Sequence, residues 1–330
     1  MLRRALLVIS NALVFSVTVS ALPTLAQTPT IWRLANEYPA TSLPGEADTF
    51  FAQAVRERTE GRVAVEPMFD AKSGLRTKDQ VQAVAKNTVT MASSFGGALD
   101  AEDGFFLLSS LPFLTASAAD AQRLFNLARP IYDRLFAARN QRLLYISPWP
   151  ASGVWSAFAL DDAALARLKI RTYDKTGTDV FNALGGQARV VSFADLPPLL
   201  TNGDINAVLS SGDGGAGRRL WDQLKYFSEI QYATPLSFAT VNLDAWGALD
   251  AATQAHVSAA ATATSARQWQ AMAGRVDVNY ARMQSNGMTI DRAPSASMLK
   301  RLRDVGAQAE RDWIARVGDE GQRILRAYRP

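Results

Sequence analysis

Cysteine is missing altogether from the 330 residues, and histidine occurs once, at His256. The first absence removes disulfides, thiolate metal sites and a cysteine nucleophile. The second leaves no material for a histidine-rich metal centre, and no Ser-His-Asp constellation can be placed around one imidazole by sequence. His256 lies in LDAATQAHVSAAATATSARQWQAMA, an alanine-rich pattern that reads as a long helix, where a lone imidazole is a surface or packing residue. A nucleophile elbow G-x-S-x-G and paired acids at distinctive spacing are missing too, although a carboxylate-only metal or acid–base site stays open. Blocks of like charge are missing as well: 35 basic residues stand against 31 acidic ones, a balance that argues against general nucleic-acid binding.

Long apolar runs are confined to the amino terminus. Arg3 and Arg4 precede a stretch from Ala5 to Val19 broken only by Ser10, Asn11, Ser16 and Thr18, and small residues follow around Thr24-Leu25-Ala26. This predicts a secretory signal over residues 1–26, cleaved after Ala26, and hence a periplasmic protein; the alternative is an uncleaved anchor helix. Removing that segment takes two arginines and no acid, so 35 − 2 = 33 basic residues face 31 acidic ones. Without disulfides, a chain of roughly 300 residues depends on a large apolar core and ordinarily divides in two.

What is there is a repeated α/β rhythm. Ile31 to Ala35 predicts a strand, 36–44 a loop with two prolines, and Gly45 to Thr59 an amphipathic helix that Gly61 stops. A strand at Val63 and Val65, a loop from Phe69 to Gly74, a helix Lys78 to Ala85 and a short strand Val89 to Ala92 follow. The same order returns from Leu168: an apolar run to Arg171, a helix, Val190-Val191, a second helix ending near Gly203, and the run Ile205 to Leu209. Later come an apolar strand from Leu236 to Leu243 and the long helix from about Asp250. The expected fold class is α/β, with two lobes, parallel strands and a ligand cleft at the strand ends.

The wording of these segments resembles the DctP-type solute-binding proteins of tripartite ATP-independent periplasmic (TRAP) transporters. Leu168-Lys169-Ile170-Arg171 is similar to the family's L-K-[IL]-R. Ala183-Leu184-Gly185, Phe193-Ala194-Asp195 and Gly203-Asp204-Ile205-Asn206 follow it in the family's order. In the first half, TEGRVAVEP at Thr59 to Pro67 and LPFL at Leu111 to Leu114 add to the match, while AKSG at Ala71 to Gly74 departs from the common G-Q-L-G. The resemblance runs from about Trp32 to about Trp246. It implies a two-lobe periplasmic binding fold, with lobe I over 27–149 and 237–276, lobe II over 150–236 and 277–330, a helix spanning both, and hinges near Pro148 and Pro235.

The resemblance also implies that Arg171 clamps a ligand carboxylate. The guanidinium suits that role, because its rigid fork matches a carboxylate bidentately and stays charged at any relevant pH. Other expected contacts are Glu37 and Tyr38, which with Asn36 close over the ligand from the first lobe, Ser73 in the AKSG loop, Ser94 and Phe95, and Phe193. Trp149, Trp155, Ser210, Ser211 and Asp213 complete the set. Where sugar-acid binders of the family carry a second Arg, a Glu with a nearby Arg, and an Asn, this chain has Trp155, Ser94-Phe95 and Ser210-Ser211.

Such walls favour a compact monocarboxylate with an apolar or aromatic body over a sugar acid, whose hydroxyls would each go unpaired at about 1–3 kcal/mol. Trp149, Trp155 and Phe95 read equally as core residues. The glycine-rich SGDGGAG from Ser211 to Gly217 lacks the Lys-Ser/Thr of a phosphate loop and is expected to let the chain approach the ligand as it opens a helix. Asp213 reads as a helix cap or as a partner for a ligand amine. No cofactor and no metal are expected. The implied function is transport: capture of a small organic acid and delivery to membrane subunits of the transporter. The alternatives are a secreted hydrolase or lyase, and a sensor or adaptor that binds an amine or amino acid.

Overall fold

The computed structural model describes residues 28–329, so the expected signal segment lies outside the described residues. Two mixed sheets, one in each lobe, organise the chain. The first has the order β2-β1-β3-β10-β4, from β1 (Thr30–Asn36), β2 (Val63–Met68), β3 (Met91–Phe95), β4 (Gln141–Pro148) and β10 (Leu236–Asn242). The strands β1, β2 and β3 are parallel, and β10 runs antiparallel between β3 and β4. The second has the order β11-β9-β5-β8-β6-β7, from β5 (Ser152–Ser156), β6 (Lys169–Thr172), β7 (Gln187–Val190), β8 (Ala207–Ser211), β9 (Tyr226–Ser228) and β11 (Thr289–Asp291). Here β6, β7 and β8 are parallel, and β5 is antiparallel to both its neighbours.

Local chemistry explains where the helices begin. The Ser42 hydroxyl accepts the Gly45 N–H at the start of α1 (Leu43–Arg58), with Pro44 in the first turn, where its missing N–H costs nothing. Thr77–Ala85 forms α2. Ser117 caps α3 (Ala118–Ala137), and Asp174 caps α4 (Lys175–Ala183) by accepting the Gly177 N–H. Three short helices follow: α5 (Leu196–Thr201), α6 (Gly212–Gly217) and α7 (Leu243–Gly247).

Asp250 caps α8 (Ala251–Ser285), whose 35 residues span roughly 50 Å. It packs on α1 and β4 in the first lobe and on α6 and β11 in the second, as the resemblance implied. The C-terminal helices, assigned above to lobe II, divide between the lobes: α9 (Ala296–Val317) lies on α4, whereas α10 (Asp319–Tyr328) packs on α3. Trp313 of α9 joins the first-lobe core and donates to the Gly104 carbonyl at 2.8 Å.

Two expected strands lie later in the chain than the apolar runs suggest: Val89 to Ala92 becomes β3, ending at Phe95, and Ile205 to Leu209 becomes β8, ending at Ser211. Asn87, in the left-handed region at φ 52°, turns the chain before β3, so Val89 still belongs to the turn. Both shifts push Phe95 and Ser211 to strand ends, where the sheets face the cleft. Besides α8 and the C-terminal helices, two segments cross between lobes, and they are hydrogen-bonded to each other: Trp149 N–H to the Pro235 carbonyl at 2.9 Å, Ser152 N–H to Ala233 at 2.8 Å, and Tyr232 N–H to Ser152 at 2.8 Å.

Candidate ligand chamber between the lobes

Arg171 stands on β6 with its side chain in the cleft, and it is 3% exposed. Its Nε donates to the Val191 carbonyl at 2.8 Å and its Nη1 to the Leu209 carbonyl at 3.2 Å, which fixes the guanidinium between β7 and β8. Among the described residues no carboxylate forms an ion pair with it. Burial pushes its pKa below the ordinary value, with Tyr38 and Glu37 opposing, but a guanidinium stays charged. A buried cation whose hydrogen bonds go to carbonyls, with Glu37 acting on it only from a distance, has no ion-pair partner of its own.

Around it lies a narrow chamber of about 20 Å³, lined by Tyr38, Phe95, Trp149, Ser152, Arg171, Tyr173, Phe193, Ser210, Ser211 and Pro235. Tyr38 is the centre of the aromatic wall, with ring centroids 4.9 Å from Phe193 in a stacked arrangement, 4.8 Å from Trp149 and 6.1 Å from Phe95. Phe95 meets Tyr173 edge-on at 5.1 Å. The Arg171 guanidinium lies 5.5 Å from the Phe193 ring centre. Burial raises the pKa of Tyr38 above the usual phenol range, so its hydroxyl beside Arg171 remains protonated. A wider vestibule, reached past Glu37, Thr77, Asp100, Asp174 and Ser192, shares five walls with the chamber.

The structure brings Arg171, Tyr38, Phe95, Trp149, Phe193, Ser210 and Ser211 together on this chamber. Glu37 borders the vestibule instead. Trp149 belongs to the crossover and donates from Nε1 to the Ser237 hydroxyl at 3.0 Å. Trp155, Ser94, Ser73 and Asp213 lie outside both the chamber and the vestibule. The period-2 alternation of a strand explains two of these: on β5 it is Ser152 that faces the chamber, so Trp155 points to the opposite face. On β3, Phe95 turns inward and Ser94 turns away, donating to Gln80 Oε1 at 2.8 Å. The Ser73 hydroxyl accepts the Leu75 N–H at 3.3 Å within its own turn.

The glycine-rich segment is α6 itself, and its glycines make room for protein rather than ligand. A Cβ on Gly215 would stand 2.1 Å from the Trp155 ring, and one on Gly214 would stand 2.7 Å from the Ser210 hydroxyl. Trp155 Nε1 donates to the Ser211 carbonyl at 3.2 Å across this contact. The helix cap is Ser211, whose hydroxyl accepts the Gly214 N–H at 3.1 Å. Asp213 is instead a strut between lobes: it accepts the Leu43 N–H at 2.8 Å, Arg275 Nε at 2.5 Å and Asn279 Nδ2 at 3.1 Å.

Sequence reading missed Ser152, Tyr173 and Pro235. Alternation outward from Arg171 places Tyr173 on the same face, which is the signal that could have found it. Pro235 enters the sequence reading only as a hinge.

A family model described as bacterial extracellular solute-binding protein, family 7, matches residues 34–312. A sequence search of curated proteins found no match. Among solved structures the fold is similar to DctP6 of Bordetella pertussis, an extracytoplasmic solute receptor binding pyroglutamic acid, at TM-score 0.87 and 26% identity over 91% of this chain and 99% of that one. DctP7 of the same organism, also binding pyroglutamic acid, gives TM-score 0.86 and 27% identity over 91% and 100% of the two chains. A TRAP solute-binding protein from a marine metagenome, specific for pyroglutamate and solved with it, gives 0.86 and 26% over 91% and 98%.

Proposed function

The chain belongs to the bacterial extracellular solute-binding proteins of family 7, and from that premise we propose that it captures a compact monocarboxylate, with pyroglutamate the first candidate. The observation that carries this reading is Arg171: a buried cation, held by two carbonyls, with no carboxylate of the protein paired to it. An anion arriving from solvent supplies the missing charge through charge-assisted hydrogen bonds. The five rings of Tyr38, Phe95, Trp149, Tyr173 and Phe193 suit a small ring or branched body, at about 25 cal/mol for each Å² of apolar surface buried.

The polar inventory narrows the choice. Ser152, Ser210 and Ser211 offer hydroxyls for one or two polar atoms, as a lactam presents, and too few for a sugar acid. The chamber has no acidic wall residue, and Asp213 is engaged elsewhere, so a ring ammonium finds no counter-charge. Pyroglutamate is therefore favoured over proline, which has the same ring size and a charged nitrogen. Similarity to three pyroglutamate-binding structures supports the same choice.

The mechanism is binding without chemistry. The ligand enters an open cleft, meets Arg171, and is enclosed when Tyr38 from the first lobe reaches Phe193 on the second. The loaded protein, exported to the periplasm through the amino-terminal signal, then delivers the ligand to the membrane subunits of a TRAP transporter. Thermal melting and calorimetry against pyroglutamate, proline, glutamate and glucuronate test the reading. A ligand at a hundred times its Kd stabilises the protein by about 2.7 kcal/mol. Pyroglutamate should give the largest shift; a shift with proline or glucuronate and none with pyroglutamate refutes it.

A further inference from the structure

Glu37 follows β1 directly and is 2% exposed, yet its carboxylate is not directed to Arg171. Its Oε2 accepts the Thr77 N–H at 2.7 Å and the Thr77 hydroxyl at 2.8 Å, both from the start of α2 in the first lobe. Its Oε1 accepts the Ser192 hydroxyl at 2.5 Å and the Ala194 N–H at 2.8 Å, both from the second lobe. One oxygen is thus committed to each lobe, and all four donors are satisfied in the closed arrangement.

The second-lobe segment so gripped is short and carries much of the chamber. The Val191 carbonyl holds Arg171 Nε, and Phe193 is the wall that stacks on Tyr38. Asp195 accepts from Arg76 Nε at 3.0 Å and Nη2 at 2.7 Å, a second tie to the first lobe at the exposed rim. Arg218 lies 5.4 Å from the Phe193 ring centre and donates to the Glu37 carbonyl at 3.2 Å. Opening the cleft separates Ser192 and Ala194 from Glu37 while leaving the Thr77 bonds intact. Only one half of the carboxylate's shell therefore depends on closure.

We propose that Glu37 is a closure latch: a positioning residue that does not touch the ligand, whose second-lobe half forms only when the lobes meet and which thereby sets how long the ligand is held. This rests on the reading of the chamber as the ligand site. A buried carboxylate is suited to the task, because its hydrogen bonds are charge-assisted and are excluded from water only when the cleft is shut. Closure is then rewarded by contacts remote from the ligand, so residence time and ligand choice are set by different residues.

The experiment is stopped-flow tryptophan fluorescence with pyroglutamate, or with whichever acid of the panel binds, on the wild type, Glu37→Gln and Ser192→Ala. A glutamine retains one acceptor, which the Thr77 pair can use, and turns its amide toward the second-lobe donors. Ser192→Ala removes one second-lobe donor and leaves the first lobe untouched. For Glu37→Gln we expect dissociation about 10–100-fold faster, in the range of losing one or two charge-assisted hydrogen bonds, with association changed by less than about threefold. Ser192→Ala should move the same way by less, and the ligand-free melting temperature should stay put in both.

Unchanged dissociation in Glu37→Gln overturns the latch, as does an equal loss of ligand-free stability, which would make the residue merely structural. A reordering of the panel's affinities also overturns it, because it would mean that Glu37 contacts the ligand. A wild type that binds no panel acid overturns the chamber reading and the latch with it. Binding with unchanged dissociation overturns the latch alone.

Discussion

Replacing Arg171 by methionine separates the binding role of the cation from its cost to the fold. Methionine keeps much of the side-chain volume while removing the charge and all five donors. In the ligand-free protein two terms oppose. The Val191 and Leu209 carbonyls lose their donors, at about 1 kcal/mol or somewhat more each, while the penalty of a buried cation without a counter-ion disappears. The net change in ligand-free stability is therefore close to zero and can be favourable. In the loaded protein the balance is lopsided, because the ligand carboxylate is left buried without a partner, at about 3–5 kcal/mol, roughly two to four orders of magnitude in Kd. Calorimetric titration with pyroglutamate and melting curves with and without ligand measure both quantities on one preparation. A loss of affinity below about tenfold refutes the clamp. So does a variant whose ligand-free melting temperature falls as far as its ligand-induced shift, since that would make Arg171 a structural cation.

Two further predictions concern the frame. Gly215→Ala places a methyl where the Trp155 ring lies, so it should destabilise by about 1–3 kcal/mol in denaturant melts, more if the β5–α6 contact cannot yield. Unchanged stability would show that the packing there is loose. Asp48 and Asp174 are both buried, and burial pushes each carboxyl up to about 7. The folded state then holds protons that the unfolded chain has released, so stability should fall as pH rises from about 4 to about 7, by up to roughly 1.4 kcal/mol per pH unit for each group. Asp48→Asn keeps an acceptor for Asn36 Nδ2 and should flatten that slope in pH-dependent melts; an unchanged slope would assign it to other groups.

The α/β rhythm and the long helix from about Asp250 were legible because each rests on periodicity and on stops such as Gly61, whereas the helix's spanning of both lobes was implied by the resemblance. Arg171 was singled out through the resemblance of Leu168-Lys169-Ile170-Arg171 to the family's motif, since on pattern alone an arginine ending an apolar run can as well pair with a structural acid. What failed was facing. Trp155 and Ser152 belong to one strand three residues apart, and a one-residue error in register exchanges wall for core. The glycines of α6 and the acid between them invited a ligand reading, since nothing local announces that Trp155, some sixty positions earlier, fills the space above Gly215. Asp213 and Glu37 illustrate the same limit: their partners Leu43, Arg275, Ser192 and Ala194 are distant in the chain, and only assembled lobes put them within reach.

Trp149 and Pro235 stand in two places at once, in the paired crossover and on the chamber wall. In the closure proposed above, the floor of the chamber is consequently part of the pivot. A guest that fits lets the two strands bend together until the rims meet, whereas a bulkier one pushes on the axle and props the jaws apart. Size exclusion then needs no separate gate: the bearing gauges each guest, and a misfit is refused because the machine cannot turn around it.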